Sequence, residues 1–162
     1  MEKYTLLGLN CPGHDTSAAL MINGDIVAAC EQERLDRQKH SRSFPLDAIN
    51  ECLRLANMTL QDIDEIALNN DSKYLITEFY LKPALTSNDN LDFFFKELTK
   101  IKSLYYRDDH IRSLTGFSGK ISSHRHHDCH LAAAYYPSGF NSALVASFDG
   151  IGEIESSSVG MG

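Results

Sequence analysis

Along the first thirty residues the apolar positions come in short bursts, too short for a helix and separated by turn residues. Tyr4 to Asn10 is one such run, closing in Gly8-Leu9-Asn10-Cys11-Pro12-Gly13, and reads as a strand entering a tight turn. Thr16 to Ile22 is a second. Asn23-Gly24 follows, a dipeptide that supplies the two positive-φ positions of a two-residue hairpin, so Asp25 to Glu31 reads as the returning strand. The three strands predict an antiparallel meander. Glu31 to Ser43 is polar and charged and predicts a surface loop. After Pro45, which suits a first helical turn, Leu46, Ile49, Leu53 and Ala56 recur at helical spacing and predict a helix ending near Asn57. Asp64 to Leu68 predicts a short strand, ended by Asn69-Asn70-Asp71.

Residues 73–118 carry the weakest pattern. Leu91 to Tyr106 places Phe94, Leu98, Ile101 and Tyr105 on one side of a helix, preceded by a loop over Thr86 to Asn90. Lys120 to Ser123 is a weak strand candidate. His126 to Tyr136 is alanine-rich and closed by Pro137 and Gly139, which predicts a helix. Ala143 to Phe148 predicts a buried strand ending in Asp149-Gly150, with Glu155 to Val159 as its hairpin partner. The sequence stops soon after that strand, at Met161-Gly162, which leads us to expect one piece of a longer protein.

The 162 residues suit one domain, or two small ones, and a core that needs no disulfide staple. Apolar residues at 43% and charged residues at 23% exclude wholesale disorder. A net charge of −7 would repel a phosphate backbone, so no nucleic-acid partner is expected, although Arg34, Arg37, Lys39, His40 and Arg42 form a local basic cluster. The four cysteines form no CxxC pair and no secretory leader precedes them, so the expectation is a cytoplasmic protein with reduced thiols. No apolar stretch approaches the roughly 20 residues that cross a bilayer, and no membrane partner is expected.

Four constellations carry candidate chemistry. On a helix, His126 and His130 stand four residues apart on one face, the spacing at which two imidazoles share a metal. A strand-end carboxylate, Asp149, would complete a two-histidine, one-carboxylate set with open positions; the alternative is a polar helix start with solvated histidines. Cys129 on the same helix fits better as a small buried residue than as a ligand. In the first turn, His14 and Asp15 offer an acid, a base or an orienting pair, against the alternative that they only decorate a hairpin tip. The loop Glu31 to His40 reads as a solvated charged face, or as a clamp in which Arg34 and Lys39 meet a phosphorylated ligand. Ser147-Phe148-Asp149-Gly150-Ile151-Gly152-Glu153 places a carboxylate beside the amides of Gly150 and Gly152, which could meet phosphate.

Taken together, the stretches GLNCPGHDTSAALMINGDIVAACEQERLDRQKHSRSFPLDAI, HHDCHLAAAYYPSGF and SFDGIGE resemble the start of the O-carbamoyltransferase family of nodulation-factor and antibiotic biosynthesis. They cover somewhat under half of the chain. Asp128 and Leu131 stand where an apolar residue and an alanine are expected, and leave the HxxxH spacing intact.

The resemblance implies an α/β fold. It would be an actin-like ATPase (ribonuclease H-like) lobe with a mixed sheet, related to the tRNA threonylcarbamoyl-transfer proteins. Residues 1–140 would form the first lobe and residues 141–162 the first strands of a truncated second. It implies an ATP-dependent enzyme. Carbamoyl phosphate and ATP would give a carbamoyl-adenylate in a separate C-terminal domain, and the carbamoyl group would then pass to a hydroxyl of a small-molecule acceptor. It implies iron or zinc on His126, His130 and Asp149, with a further ligand beyond Gly162. His14 matches the histidine near the carbamoyl group, and Arg34 and Lys39 match the charged loop. An isolated piece is expected to be inactive, and its orphaned hairpin would offer an edge on which a second copy could pair into a homodimer. The rival readings are a tRNA threonylcarbamoyl-transfer protein, an actin-like ATPase or sugar kinase without metal chemistry, and a non-catalytic metal-binding interaction module.

Overall fold

The computed structural model describes residues 3–162. In chain order its elements are β1 (Thr5–Asn10), β2 (Ser17–Ile22), β3 (Asp25–Glu31), α1 (Gln32–Asp36), α2 (Leu46–Leu55), β4 (Glu65–Leu68), α3 (Ser72–Leu75), a π-helical turn (Ile76–Leu81), α4 (Lys82–Ala84), α5 (Asn88–Lys96), α6 (Leu98–Tyr105), α7 (Arg107–Thr115), β5 (Lys120–Ser123), α8 (His126–Tyr135), β6 (Leu144–Phe148) and β7 (Ser157–Met161).

The residues fall into two compact units. The first runs to Asn69 and resumes over Asp108–Ser123. The second comprises Asn70–Arg107 and His124–Gly162. The histidine-bearing helix α8 packs with the β6–β7 hairpin within the second unit.

In the first unit a five-stranded mixed sheet has the order β3-β2-β1-β4-β5. β1–β2 and β2–β3 are antiparallel, while β1–β4 and β4–β5 are parallel. This is a mixed α/β sheet that opens in the antiparallel meander expected from the strand pattern. The Asn23-Gly24 turn has φ of +52° and +95°, the left-handed values such a hairpin requires. Thr5, Leu7 and Leu9 of β1 are buried, and the residues between them are only half-buried, as a period of two dictates. Leu7, Leu9, Leu20, Ile66 and Leu68 join Ala48, Ile49, Cys52 and Leu53 of α2, with Ile111 and Phe117, in one core.

The charged stretch after β3 is not wholly a loop. Gln32 is buried and opens α1; its amide donates to Asp47 at 2.7 Å and accepts from the Ala48 N–H at 3.1 Å. A polar residue thus ties the loop to the start of α2, which charge patterning does not reveal.

The second unit holds most of the residues whose pattern is weakest. The expected Leu91–Tyr106 helix is two helices. Glu97, at φ −92° and ψ 5°, breaks it, and α5 starts at Asn88 because Ser87 accepts from the Asn90 N–H at 3.2 Å. Phe94 and Ile101 pack with Ile76 and Tyr80, while Tyr105 is exposed. α7, which the apolar pattern does not predict, belongs from Asp108 onward to the first unit; its first turn carries Asp108 and Asp109, and its buried residues are Arg107 and Ile111. No helix among the described residues is long and apolar enough to cross a membrane.

Candidate functional site

In the second unit α8 and the loop after β6 bring three donor atoms together. Nε2 of His126 lies 2.8 Å from Oδ2 of Asp149, and Nε2 of His130 lies 2.9 Å from Nε2 of His126 and 3.4 Å from the same Asp149 oxygen. Helical spacing places the two rings on one face, and the end of β6 delivers the carboxylate. Hydrogen bonds alone do not satisfy this triangle. If His126 Nε2 gives its one proton to Asp149, it keeps no lone pair for the His130 nitrogen beside it. A cation would take all three lone pairs at once. Two imidazoles and a carboxylate suit iron or zinc, so the residues present fit such an ion.

The electrostatics agree with that chemistry. The hydrogen bond from His126, then the Gly150 amide, hold the Asp149 carboxyl below its ordinary range. Burial pushes the Cys129 thiol up to about 11, with Asp128 and Glu153 adding to the rise, so it stays protonated beside the donor set. His127 is 3% exposed, and neither ring nitrogen has a hydrogen-bond partner among the described residues. Its ring lies beside Gly152, where an added Cβ would come within 3.1 Å of Cδ2.

The amides proposed to meet phosphate are already engaged. Gly150 N–H donates to Asp149 Oδ1 at 2.6 Å and Gly152 N–H to the Glu155 carbonyl at 2.7 Å. Their observed work is to shape the loop that carries Asp149. Glu153, which the residue pattern did not single out, accepts from the His126 N–H with both oxygens at 3.1 Å. It thereby holds the start of α8, whose N-cap residue Arg125 makes no capping bond of its own.

In the first unit the β1–β2 turn brings His14 to Asp15, with Nδ1 at 2.6 Å from Oδ2. Asp15 has φ +54°, a left-handed conformation that aspartate tolerates better than most residues. Its other oxygen meets Nδ1 of His40 at 2.8 Å. Thr16 anchors the approaching loop: its N–H donates to the Ser41 carbonyl at 3.2 Å and its hydroxyl to the Ser43 carbonyl at 2.8 Å. A carboxylate only accepts, so His14 carries its proton on Nδ1 and, when neutral, leaves Nε2 as a base. His14 first, then His40, lower the Asp15 pKa. His40 was visible as part of the charged phrase but not as a partner of Asp15. Asp15, Glu33 and His40 also place donor atoms within 4.8 Å of one another, but the Glu33 carboxylate already accepts from the His40 N–H at 2.8 Å.

Arg34 is turned to its own loop, with Nε 3.1 Å from Glu31 and a terminal nitrogen 3.7 Å from Glu33. Lys39 is exposed.

The uncharacterized protein sll1178 of Synechocystis sp. is 29% identical over 177 residues, which cover 97% of this chain and 27% of that protein. Nodulation protein NolNO of Sinorhizobium fredii is 31% identical over 153 residues, covering 92% of this chain and 21% of that protein. The chain therefore spans about a quarter of the length of these curated relatives. Among solved structures, YeaZ from Pseudomonas aeruginosa aligns with 91% of this chain and 55% of its own, at 16% identity and a TM-score of 0.45. Residues 5–162 match the family model for the carbamoyltransferase N-terminus, and the chain belongs to that family.

Proposed function

We propose that this chain is the N-terminal part of an ATP-dependent O-carbamoyltransferase, which passes a carbamoyl group from carbamoyl-adenylate to a hydroxyl of a small molecule. The observation that carries the reading is the convergence of His126, His130 and Asp149 in a chain of the carbamoyltransferase N-terminus family. The adenylate would be made from carbamoyl phosphate and ATP in a domain outside this chain, so the chain by itself transfers no carbamoyl group.

His126 and His130 would act as neutral donors to the ion and Asp149 as an anionic one. Iron or zinc bound there would supply Lewis-acid polarisation of a carbonyl or phosphoryl oxygen. Asp15 holds the His14 ring through Nδ1, so that Nε2 accepts the proton of the acceptor hydroxyl. The hydroxyl oxygen then bonds to the carbamoyl carbon, the bond from that carbon to the adenylate oxygen breaks, and AMP leaves with its electron pair. Lys39 would meet the phosphoryl group of the carbamoyl-adenylate, and Arg34 would do so after leaving Glu31.

Two experiments test this. Elemental analysis after equilibration with Fe²⁺ or Zn²⁺ should find one ion per wild-type chain and none in His130→Ala; a wild-type chain that retains no ion overturns the cation site. In the full-length protein, supplied with carbamoyl phosphate, ATP and a hydroxyl acceptor, His14→Asn should lower kcat by roughly 10²–10⁴-fold. A variant that turns over at the wild-type rate removes His14 from the chemistry.

A further inference from the structure

Glu153 is 6% exposed, and its described partners are backbone N–H groups. Oε1 accepts from Asp71 at 2.7 Å, and both oxygens accept from His126 at 3.1 Å. A carboxylate withdrawn from water is costly unless its lone pairs are met; here backbone donors of two separate segments meet them. Asp71 in turn caps α3, accepting from the N–H groups of Lys73 and Tyr74 at 3.0 Å.

The position of Glu153 in the chain gives the contact its meaning. It lies on the same short loop as Asp149, four residues further on, and grips the backbone of the residue whose side chain supplies the first imidazole. The loop is thus bound at one end by the strand that precedes Asp149 and at the other by the start of α8. A negative charge at a helix N-terminus is also favourable there. Further contacts reinforce the junction. Arg125 pairs with Glu155 and stacks over the Tyr74 ring at 4.5 Å, and the Tyr74 hydroxyl donates to Glu155 at 3.1 Å. Gly152 lets the loop pass close enough that a Cβ there would lie 3.4 Å from His126 Cβ.

We propose that Glu153 is a positioning residue of the cation site: by bonding the start of α8 to the loop after β6, it sets the separation between Asp149 and the two imidazoles. The inference rests on the reading of His126, His130 and Asp149 as ligands, and goes beyond it by assigning a carboxylate that touches no ion.

The test uses Co²⁺ as probe, with titration calorimetry and the visible d–d absorption read on the same chain. Wild type should bind one Co²⁺. Glu153→Gln keeps the size and one acceptor oxygen, and should weaken binding 10–100-fold and shift the absorption band. Ile101→Ala, in the apolar cluster of the same unit, controls for a general loss of stability: it should lower the unfolding midpoint and leave the band in place. Glu153→Gln binding Co²⁺ with wild-type affinity and spectrum overturns the role of Glu153 alone. The same holds if Ile101→Ala shifts the band equally, since Glu153 would then be merely structural. A wild-type chain that takes up no Co²⁺ overturns the ligand assignment, and the role of Glu153 falls with it.

Discussion

Glu65 shows how one buried acid is tolerated in β4. It is 5% exposed, and its carboxylate meets Lys120 at 2.8 Å and the Tyr4 hydroxyl at 2.6 Å. Burial pushes its pKa up, but hydrogen bonds from Lys120, Ser122 and Tyr4 outweigh that and bring it from 4.5 to about 2. The folded value lies below the unfolded one. The stabilisation is therefore complete above about pH 4.5 and is lost as pH falls towards 2. Glu65→Gln should cost about 2–3 kcal/mol in urea unfolding at pH 7, and the gap from wild type should shrink steadily when the titration is repeated down to pH 2. A gap independent of pH would show that the paired charge is not its source. Gly152 makes a second residue-scale case. Alanine there meets His127 Cδ2 at 3.1 Å, so either the loop or α8 must give way. Gly152→Ala should weaken Co²⁺ binding about as much as the loss of a group that orients a ligand, roughly 10-fold or more.

Among the elements, those with strong local chemistry were legible. The Asn23-Gly24 turn, the two strands it joins and the apolar face of α2 follow from turn residues and from periods of 2 and 3.6. An added Cβ at Gly24 meets nothing within 4 Å, so its substitution isolates the backbone cost of φ +95°. Gly24→Ala should therefore lower the stability of the first unit by about 1 kcal/mol, seen as a lower unfolding midpoint with unchanged slope. The failures have an equally local cause. Leu91 to Tyr106 carries a continuous helical pattern, yet Glu97 divides it, because only Phe94, Ile101 and a few neighbours find apolar partners. α1 hides in a charged run because its anchor, Gln32, is polar and is buried through hydrogen bonds. α8 has no apolar stripe to place it; the Glu153 carboxylate and its contacts with β6 and β7 do so.

On the scale of the whole chain, its own residues determined the family, the antiparallel meander and the HxxxH spacing. Each is written in neighbours a few positions apart, through side-chain alternation, turn preferences and helical pitch. Motif likeness reached the candidate donors as well, because His126 and His130 need only one turn of helix to share a face. What tertiary structure decided is everything that joins distant segments. β4 and β5 line up parallel to β1 across long connections, which no local pattern specifies. The cut between units falls at 69/70, 107/108 and 123/124 because packing, not sequence order, groups the helices. His40 reaches Asp15 from 25 positions away, Asp149 reaches His126 from 23, and Glu153 reaches the same residue from 27. The residue types announced that such chemistry was available. Only the folded backbone, by satisfying buried polar groups and closing the core, selected which of those groups would meet.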